Sequence, residues 1–171
     1  MFVDESQLRD YLLVAVSVDA GHLPTARSAV AGVILRGQTR LHMRKESDAR
    51  RRLILSTTAD LDVDVTVFRA PKDGRSDVER RAACVRALVV AADHPRGTSV
   101  CLERDETLVQ KDRQWIVEAR HRHQGNRQFT HRHESARQEP LLALPDALGW
   151  AWAKGGDWRR RCNRSFAVIS V

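Results

Sequence analysis

Cysteine is scarce in this chain. Only three are present among 171 residues, Cys84, Cys101 and Cys162, and no two of them have C-x-x-C spacing. A small secreted domain held together by disulfides carries a denser and even set, so that class is excluded. The spacing also argues against a structural zinc site built from these thiols. We therefore expect reduced thiols and a cytoplasmic location.

Long hydrophobic runs are absent as well. No apolar stretch approaches the length that a bilayer-spanning helix requires, so no membrane role is expected. The first ten positions include four charged residues: Asp4, Glu5, Arg9 and Asp10. A signal peptide has an apolar core in this region, so none is expected. The composition, 42% hydrophobic and 30% charged, is typical of a globular protein, and 171 residues predict one domain, residues 1–171.

Positive charge is what the sequence has in excess. The formal net charge is +7 at pH 7, and it is unevenly distributed. Seven Arg or Lys residues against two acids lie between residues 36 and 52, and seven against three lie between residues 111 and 137. Basic stripes of this kind favour a polyanionic partner such as nucleic acid. Solvated, arginine-rich helix faces would produce the same pattern.

Hydrophobic periodicity and turn signals predict a hairpin followed by alternating helices and strands. The predicted strands are 1–4, 11–18, 39–43, 62–68, 98–103 and 127–133, and the closing "SFAVISV" is either a strand or a docking tail. The predicted helices are 24–36, 47–59, 76–93, 107–123 and 141–153. Ser76 with Glu79, and Thr107 with Gln110, have the spacing of capping boxes. This order predicts an α/β fold with a mixed sheet.

Three acids stand out against this background. Asp4 ends the first predicted strand, Glu103 ends the strand "TSVCLE", and Asp146 lies in an apolar helix, "LLALPDALGWAWA". Two carboxylates from strand ends and one from a late helix can converge at one edge of a sheet. Oxygen ligands of this type bind Mg²⁺ or Mn²⁺, and such ions catalyse phosphodiester hydrolysis. Alternatively, each acid is a solvated turn residue, a helix cap or the partner of an arginine.

Four segments resemble a bacterial family of largely uncharacterised proteins with a ribonuclease H-like fold. They are "FVDES", "LHMRKESDARRR", "CLERDETLVQKDRQWI" and "EPLLALPDALGWAWAKGGDWRRR", the last resembling a family pattern "pLLqlADllaW". The segments occur in the family's order and span nearly the whole chain. The resemblance implies a ribonuclease H-like α/β fold, with a mixed central sheet flanked by helices.

The resemblance also implies roles for individual residues. Asp4, Glu103 and Asp146 match the family's metal-binding acids, which would make them the catalytic residues. Two departures concern this set: Gln7 stands where the family has glycine, and Pro145 precedes Asp146 where alanine is common. A proline beyond the first turn of a helix kinks it or delays its start. Possible supporting residues are Glu5, Asp105, Asp112, His42 and Lys45.

The expected function is hydrolysis of nucleic-acid phosphodiesters by a Mg²⁺- or Mn²⁺-dependent nuclease. The alternative is a catalytically degenerate module that keeps the fold and binds nucleic acid or a protein partner, in a defence or mobile-element context. A third hypothesis is a zinc-dependent enzyme using the two H-R-H motifs, residues 121–123 and 131–133. The residues expected to contact phosphates are Arg50, Arg51, Arg159 and Arg160.

Overall fold

A computed structural model describes residues 1–7, 9–95, 97–123 and 129–171. The strands of this part of the chain are β1 Phe2–Gln7, β2 Tyr11–Ser17, β3 Asp64–Ala70, β4 Thr98–Glu103, β5 Phe129–Glu134 and β6 Ala167–Ser170. Its α-helices are α1 Leu23–Val33, α2 Asp48–Ala59, α3 Asp77–Ala91, α4 Val109–His123, α5 Ala143–Lys154 and α6 Gly156–Arg160. Short 3₁₀ turns cover Ala20–His22, Met43–Lys45 and Pro140–Leu142.

The described strands form one mixed sheet in the order β5-β4-β1-β2-β3-β6. β1 and β2 form an antiparallel hairpin, and β2 pairs antiparallel with β3. The pairs β1–β4, β4–β5 and β3–β6 are parallel. Every strand except β2 therefore ends at the same edge of the sheet, which we call the carboxyl edge. In open α/β sheets this edge is the usual place for a ligand site.

Both faces of the sheet are covered. Along β2, Leu12 and Val14 pack into a core with α1, α2 and α5, whereas Leu13 and Ala15 pack with α3 and α4. Successive side chains of a strand point to opposite faces, so a strand buried on both sides has a continuous apolar sequence. The segment "YLLVAVSV" has such a continuous apolar sequence, which predicts a strand covered on both faces, and this is confirmed because residues 11–16 are all buried.

Several predicted local signals can be compared with the structure. The capping box at the start of α3 is confirmed: Ser76 Oγ accepts from the Glu79 N–H, and Glu79 Oε2 accepts from the Ser76 N–H. The second predicted box is wrong. Thr107 instead donates its N–H and hydroxyl to Asp105 Oδ1 in a turn, and α4 begins only at Val109.

Two predicted strands are decided by long-range contacts. The one at 39–43 is wrong, because this segment makes side-chain contacts at the carboxyl edge instead of pairing in a ladder, and a 3₁₀ turn follows from Met43. The closing segment is a strand, β6, paired with β3. β5 begins at Phe129, and residues 127–128 of its predicted range lie outside the described part of the chain.

The position where α5 starts shows whether Pro145 kinks the helix or delays its start. The 3₁₀ turn Pro140–Leu142 precedes the helix, which begins at Ala143. The proline therefore lies in the first helical turn, where backbone N–H groups have no intrahelical acceptor and its missing N–H disrupts nothing. The delayed start is one of the two predicted outcomes, and it leaves Asp146 in the first turn of α5.

The three cysteines are buried and free. Burial raises the pKa of each thiol, Cys84, Cys101 and Cys162, to about 11, so they are protonated and unreactive near neutral pH. None of the helices in the described ranges is long and apolar enough to cross a bilayer.

Candidate functional site

Asp4 is the third residue of β1, which continues to Gln7 and so runs beyond its predicted end at residue 4; its side chain lies on the face of the sheet that α5 covers. Its side chain follows Phe2 by two residues, and Phe2 belongs to the α5-side core. The residue is only 8% exposed, and its Oδ1 accepts a 2.7 Å hydrogen bond from the Glu5 N–H. A buried carboxyl group needs more than one such partner to remain ionised, so its neighbours decide its state.

Those neighbours are the other two predicted acids. Burial, followed by a hydrogen bond with the Glu103 carboxyl and by the charges of Glu103 and Asp146, raises the pKa of Asp4 well above its ordinary value. The strand register accounts for the first contact: Val3 pairs with Leu102 in the parallel β1–β4 ladder, which places Asp4 beside Glu103. Asp146 comes from the first turn of α5. The fold thus brings three carboxyl groups together from three separate elements.

The segment before α2 supplies the main partners of the two outer acids. Arg40 Nη1 donates to Glu103 Oε1 at 3.0 Å. The Met43 N–H donates to Asp146 Oδ2 at 2.7 Å, and His42 Nδ1 lies 3.3 Å from Asp146 Oδ1. His42, one of the predicted supporting residues, therefore contacts Asp146. Lys45 is exposed, and its side chain has no ion pair or hydrogen bond within the described ranges.

Asp105, a predicted supporting residue two positions after Glu103, has a local structural role. Its carboxylate accepts hydrogen bonds from the hydroxyl and N–H of Thr107, and these lower its pKa. It therefore stabilises the turn before α4. Glu103 is the acid that contacts Asp4.

The donor chemistry of the three acids fits a hard divalent cation. Mg²⁺ and Mn²⁺ take carboxylate oxygens, and burial together with the neighbouring Glu103 and Asp146 raises the pKa of Asp4, so an added cation would favour its ionised form. Among the described residues, however, no group of three or more His, Cys, Asp or Glu side chains is already arranged to hold a metal ion. The contacts of Arg40 with Glu103 and of Met43 with Asp146 explain this, because they direct carboxylate oxygens towards protein donors.

Glu5 lies on the opposite face of the sheet, as strand alternation predicts. Its Oε2 accepts hydrogen bonds from the Tyr11 hydroxyl and from Arg81 Nη1, both at 2.6 Å. Arg81 comes from α3 and is 3% exposed. Glu5 is thus held in an ion pair on the α3 and α4 side and does not join the three acids.

Asp112, from α4, completes this second cluster. Its two carboxylate oxygens accept from Arg81 Nε and Nη2, both at 2.8 Å, in a bidentate ion pair. His133 Nε2 lies 3.0 Å from Asp112 Oδ2. Burial opposes ionisation, but the hydrogen bonds from Arg81 and His133 and their charges bring the pKa of Asp112 below its ordinary value. Asp112 therefore supports the packing of α3 against α4 and β5.

Sequence reasoning did not identify Arg81, Tyr11 or His133 as a unit. One signal was available: Arg81 lies four residues before Val85 and seven before Leu88, which are fully buried. That spacing places the arginine on the apolar face of α3, where an unpaired charge is not tolerated. It predicts a buried acid as the partner but does not say which one.

The H-R-H motifs do not form a zinc site among the described residues. His131 and His133 are neighbours on β5, with ring centroids 6.2 Å apart, but His133 uses Nε2 for Asp112. Its Nδ1 is buried without a hydrogen-bond partner in the described ranges. His121 and His123 lie in the exposed last turn of α4. The described part of the chain offers no third ligand for either pair.

The four predicted phosphate contacts fall into two groups. Arg50 and Arg51 are largely committed inside the protein: Arg50 donates to Glu46 and to the Val33 carbonyl, and Arg51 donates to the Met43 carbonyl at 2.9 Å. The other two, Arg159 and Arg160, are exposed and belong to α6, which follows α5 in the chain. At a rise of 1.5 Å per residue, the end of α5 lies about 12 Å beyond Asp146 along the helix.

A cavity of about 360 Å³ opens at the carboxyl edge between β1 and β4. Its apolar wall is formed by Val3, Leu13 and Leu102, and its polar lining includes Glu5 and Arg81. Asp4 and Glu103 also border it. The space therefore adjoins both carboxylate clusters at the end of the sheet.

The fold itself has a known counterpart. A chain in the structure of the PCNA:RNase HII complex from Archaeoglobus fulgidus matches it with a TM-score of 0.59. The match covers 90% of this chain and 72% of that chain at 12% sequence identity. The predicted ribonuclease H-like fold, a mixed sheet flanked by helices, is thereby confirmed. No protein-family model and no curated protein sequence matches the chain.

Proposed function

We propose that this protein is a divalent-metal-dependent nuclease that hydrolyses phosphodiester bonds of nucleic acid. The observation that carries the proposal is the convergence of Asp4, Glu103 and Asp146, with the pKa of Asp4 raised by burial and by the other two acids. A protein that gathers three carboxyl groups with too few cations favours an added cation. The ribonuclease H-like fold and the net charge of +7 support a nucleic-acid substrate.

Asp4, Glu103 and Asp146 are the residues that would hold Mg²⁺ or Mn²⁺. Such an ion, when bound, polarises a phosphodiester and makes a water molecule more acidic. The chain prepares the ligands: the Glu5 N–H fixes Asp4 Oδ1, and the Met43 N–H fixes Asp146 Oδ2. Backbone N–H donors suit this role, because they orient a carboxylate without adding a positive side chain that would compete with the metal ion.

His42 is the imidazole nearest this cluster, and we assign it to proton transfer. Its Nδ1 lies 3.3 Å from Asp146 Oδ1, which orients the ring, and the side chain is partly exposed. An imidazole can take up or release a proton near neutral pH, which general acid–base catalysis requires.

The same proposal includes a cytoplasmic location, which the three buried free thiols support. It also includes membership of the bacterial family that the segment "FVDES" resembles.

A second candidate function is a degenerate module that binds nucleic acid or a protein without cleaving it. The observation favouring it is the ion pair between Arg40 and Glu103, which takes one carboxylate away from a metal ion. In that case the arginine would be the permanent counter-charge of the cluster. Divalent ions would then leave the stability of the protein unchanged.

The test compares wild type with Asp4→Asn, using Asp62→Asn as a matched control. Asp62 is an exposed acid just before β3, at the edge opposite to the carboxyl edge. Mn²⁺ at 100 times its dissociation constant should stabilise wild type and the control by about 2.7 kcal/mol. Asp4→Asn should lose this stabilisation and at least about 100-fold of the cleavage rate on DNA or RNA. Cleavage that survives in Asp4→Asn would refute the assignment.

A further inference from the structure

One stretch of the basic sequence lies directly at the three acids. Between residues 36 and 45 the chain has no Asp or Glu. Its four cations are Arg36, Arg40, Arg44 and Lys45, which we call the cationic rim. Sequence reasoning emphasised the arginines that follow the rim, in α2, but those in the rim have the more favourable positions.

Three contacts fix where the rim lies. Arg40 Nη1 donates to Glu103 Oε1 at 3.0 Å, at the end of β4. Arg44 Nη2 donates to the Gln7 carbonyl at 3.3 Å, at the end of β1. Between them, the Met43 N–H donates to Asp146 at 2.7 Å. The segment therefore crosses the carboxyl edge beside all three acids, which separates it from the other basic stretches.

The rim cations are accessible. All four are exposed, and neither Arg36 nor Lys45 has an ion-pair partner in the described part of the chain. Arg44 donates only to a backbone carbonyl there, so its charge is not neutralised. By contrast, Arg50 and Arg51 form ion pairs with Glu46 and Asp48. Positive charge is thus available at the rim.

The electrostatics of the acid cluster require such a surface. Three carboxylates repel a phosphate backbone, and this repulsion extends over a Debye length of about 8 Å at physiological salt. Arg40, whose Nη1 lies 3.0 Å from Glu103 Oε1, is within that range and can offset the repulsion, whereas the end of α5 lies about 12 Å along the helix from Asp146. Lys and Arg that neutralise phosphates supply most of the sequence-independent affinity for nucleic acid.

We propose that the cationic rim binds the sugar-phosphate backbone of a nucleic-acid strand and holds it across Asp4, Glu103 and Asp146. Within the rim, Arg44 and Lys45 contact phosphates, and Arg40 exchanges Glu103 for a phosphate when the strand arrives. A guanidinium binds carboxylate and phosphate oxygens with the same geometry, so the exchange replaces one charge-assisted contact by another. The substrate class rests on the proposed function, but the location of the surface rests on the contacts above.

Binding is measured with fluorescent single-stranded DNA and RNA oligonucleotides, in EDTA, on the Asp4→Asn background. The rim variant is Arg44→Glu with Lys45→Glu. The control is Arg160→Glu with Lys154→Glu, which makes the same charge change at the far end of α5. The rim variant should bind at least about 10-fold more weakly and lose about 1.4 from the salt slope, the value for two phosphates of a single strand. The control should change affinity less than about threefold.

The outcomes separate the rim from the proposed catalysis. Equal losses in both variants, no loss in the rim variant, or no binding by the parent protein would each overturn the rim. Circular dichroism and Tm establish that the variants fold, and Arg44→Gln with Lys45→Gln provides a milder pair that should lose affinity in the same direction. If the rim variant loses binding but wild type cleaves nothing with Mn²⁺, the rim stands and the nuclease proposal fails.

Discussion

The two faces of the sheet treat buried carboxylates in opposite ways at the same strand end. On the α3 and α4 face, Glu5 and Asp112 share Arg81 through short hydrogen bonds. On the α5 face, Asp4 lies beside two further acids; it accepts a hydrogen bond from the Glu5 N–H and shares another with the Glu103 carboxyl group. The carboxylates of the first face are paired with a cation of the protein, whereas those of the second face require additional positive charge.

The pKa directions express this difference. Hydrogen bonds from Arg81 and His133 hold the pKa of Asp112 below its ordinary value although the side chain is 1% exposed. Burial and the neighbouring acids raise the pKa of Asp4. Buried charge that is paired stabilises a particular packing, whereas buried like charges are a common property of functional sites. We therefore assign the Arg81 cluster to structure and the Asp4 cluster to function.

The largest expected effect is on the paired face. Arg81→Met leaves Glu5 and Asp112 without their cation, so the free energy of unfolding should fall by about 3–5 kcal/mol in urea denaturation. Arg86→Met, on the same helix, removes only a partly exposed pair with Glu118 and should cost less than about 1 kcal/mol. Adding Asp112→Leu to Arg81→Met should restore part of the loss. Equal effects of the two single variants would contradict a structural role for Arg81.

The next effect tests how α5 positions the unpaired face. A Cβ added at Gly149 would lie 2.9 Å from Val14 Cγ2, so Gly149→Ala requires the Val14 side chain and α5 to move apart. We expect a loss of about 1–3 kcal/mol and weaker Mn²⁺ binding by calorimetry, because Asp146 moves with the helix. Gly32→Ala, in α1, meets nothing within 4 Å and should be neutral or stabilising. Unchanged Mn²⁺ affinity in Gly149→Ala would separate Asp146 from the metal site.

A smaller effect is the pH dependence of the unpaired face. The folded pKa of Asp4 is raised above its ordinary 3.8, so its contribution to stability is full below that pH and is lost as pH rises through the folded pKa. Asp4→Asn cannot ionise and should become more stable than wild type by about 1 kcal/mol as pH rises, in urea titrations with EDTA. A pH-independent difference would exclude the ionisation of Asp4 as the cause.

For Asp112, the sign is reversed. Its folded pKa is lowered, so its contribution is present above pH 3.8 and is lost as pH falls through the folded pKa. Asp112→Asn should therefore be most destabilising near neutral pH, and its deficit should shrink in acid.

The smallest effect concerns the ion pair at the edge of the unpaired face. Arg40→Gln removes the cation that holds Glu103, so Mn²⁺ affinity without nucleic acid should rise by about 3- to 10-fold in calorimetry, since one competing contact is gone. Arg36→Gln lies in the same segment but has no partner in the described ranges, and should leave the affinity near that of wild type. Weaker Mn²⁺ binding in Arg40→Gln would show that Arg40 supports the site instead of competing for it.

Strand periodicity and order along the chain were sufficient for much of the fold. They gave the hairpin, the alternation of helices and strands, and the separation of Asp4 from Glu5 onto opposite faces. They failed at residues 39–43, where an apolar and polar alternation suggested a strand. There the Met43 N–H binds Asp146, 103 residues away, and no local pattern contains that contact.

The residues of the candidate site also differ in whether the sequence alone could identify them. Asp4, Glu103 and Asp146 could be selected from sequence because each is an acid next to an apolar segment and because each matches an acid of the resembled family. Arg50 and Arg51 could not be judged, because whether a guanidinium is free depends on the carbonyls and carboxylates that tertiary packing places beside it. For the same reason, the pairing of Arg81 with Asp112 was not predictable.

The sequence by itself determined which residues are apolar, where α3 begins and on which face of the sheet Asp4 and Glu5 lie, because local sterics, capping and periodicity control these features. Tertiary structure decided which charges meet. Arg81 pairs with both Glu5 and Asp112 on one face, and Arg40 contacts one of the three acids on the other. Electrostatic energy depends on distance and burial, and both exist only once α3, α4 and α5 have packed on the sheet.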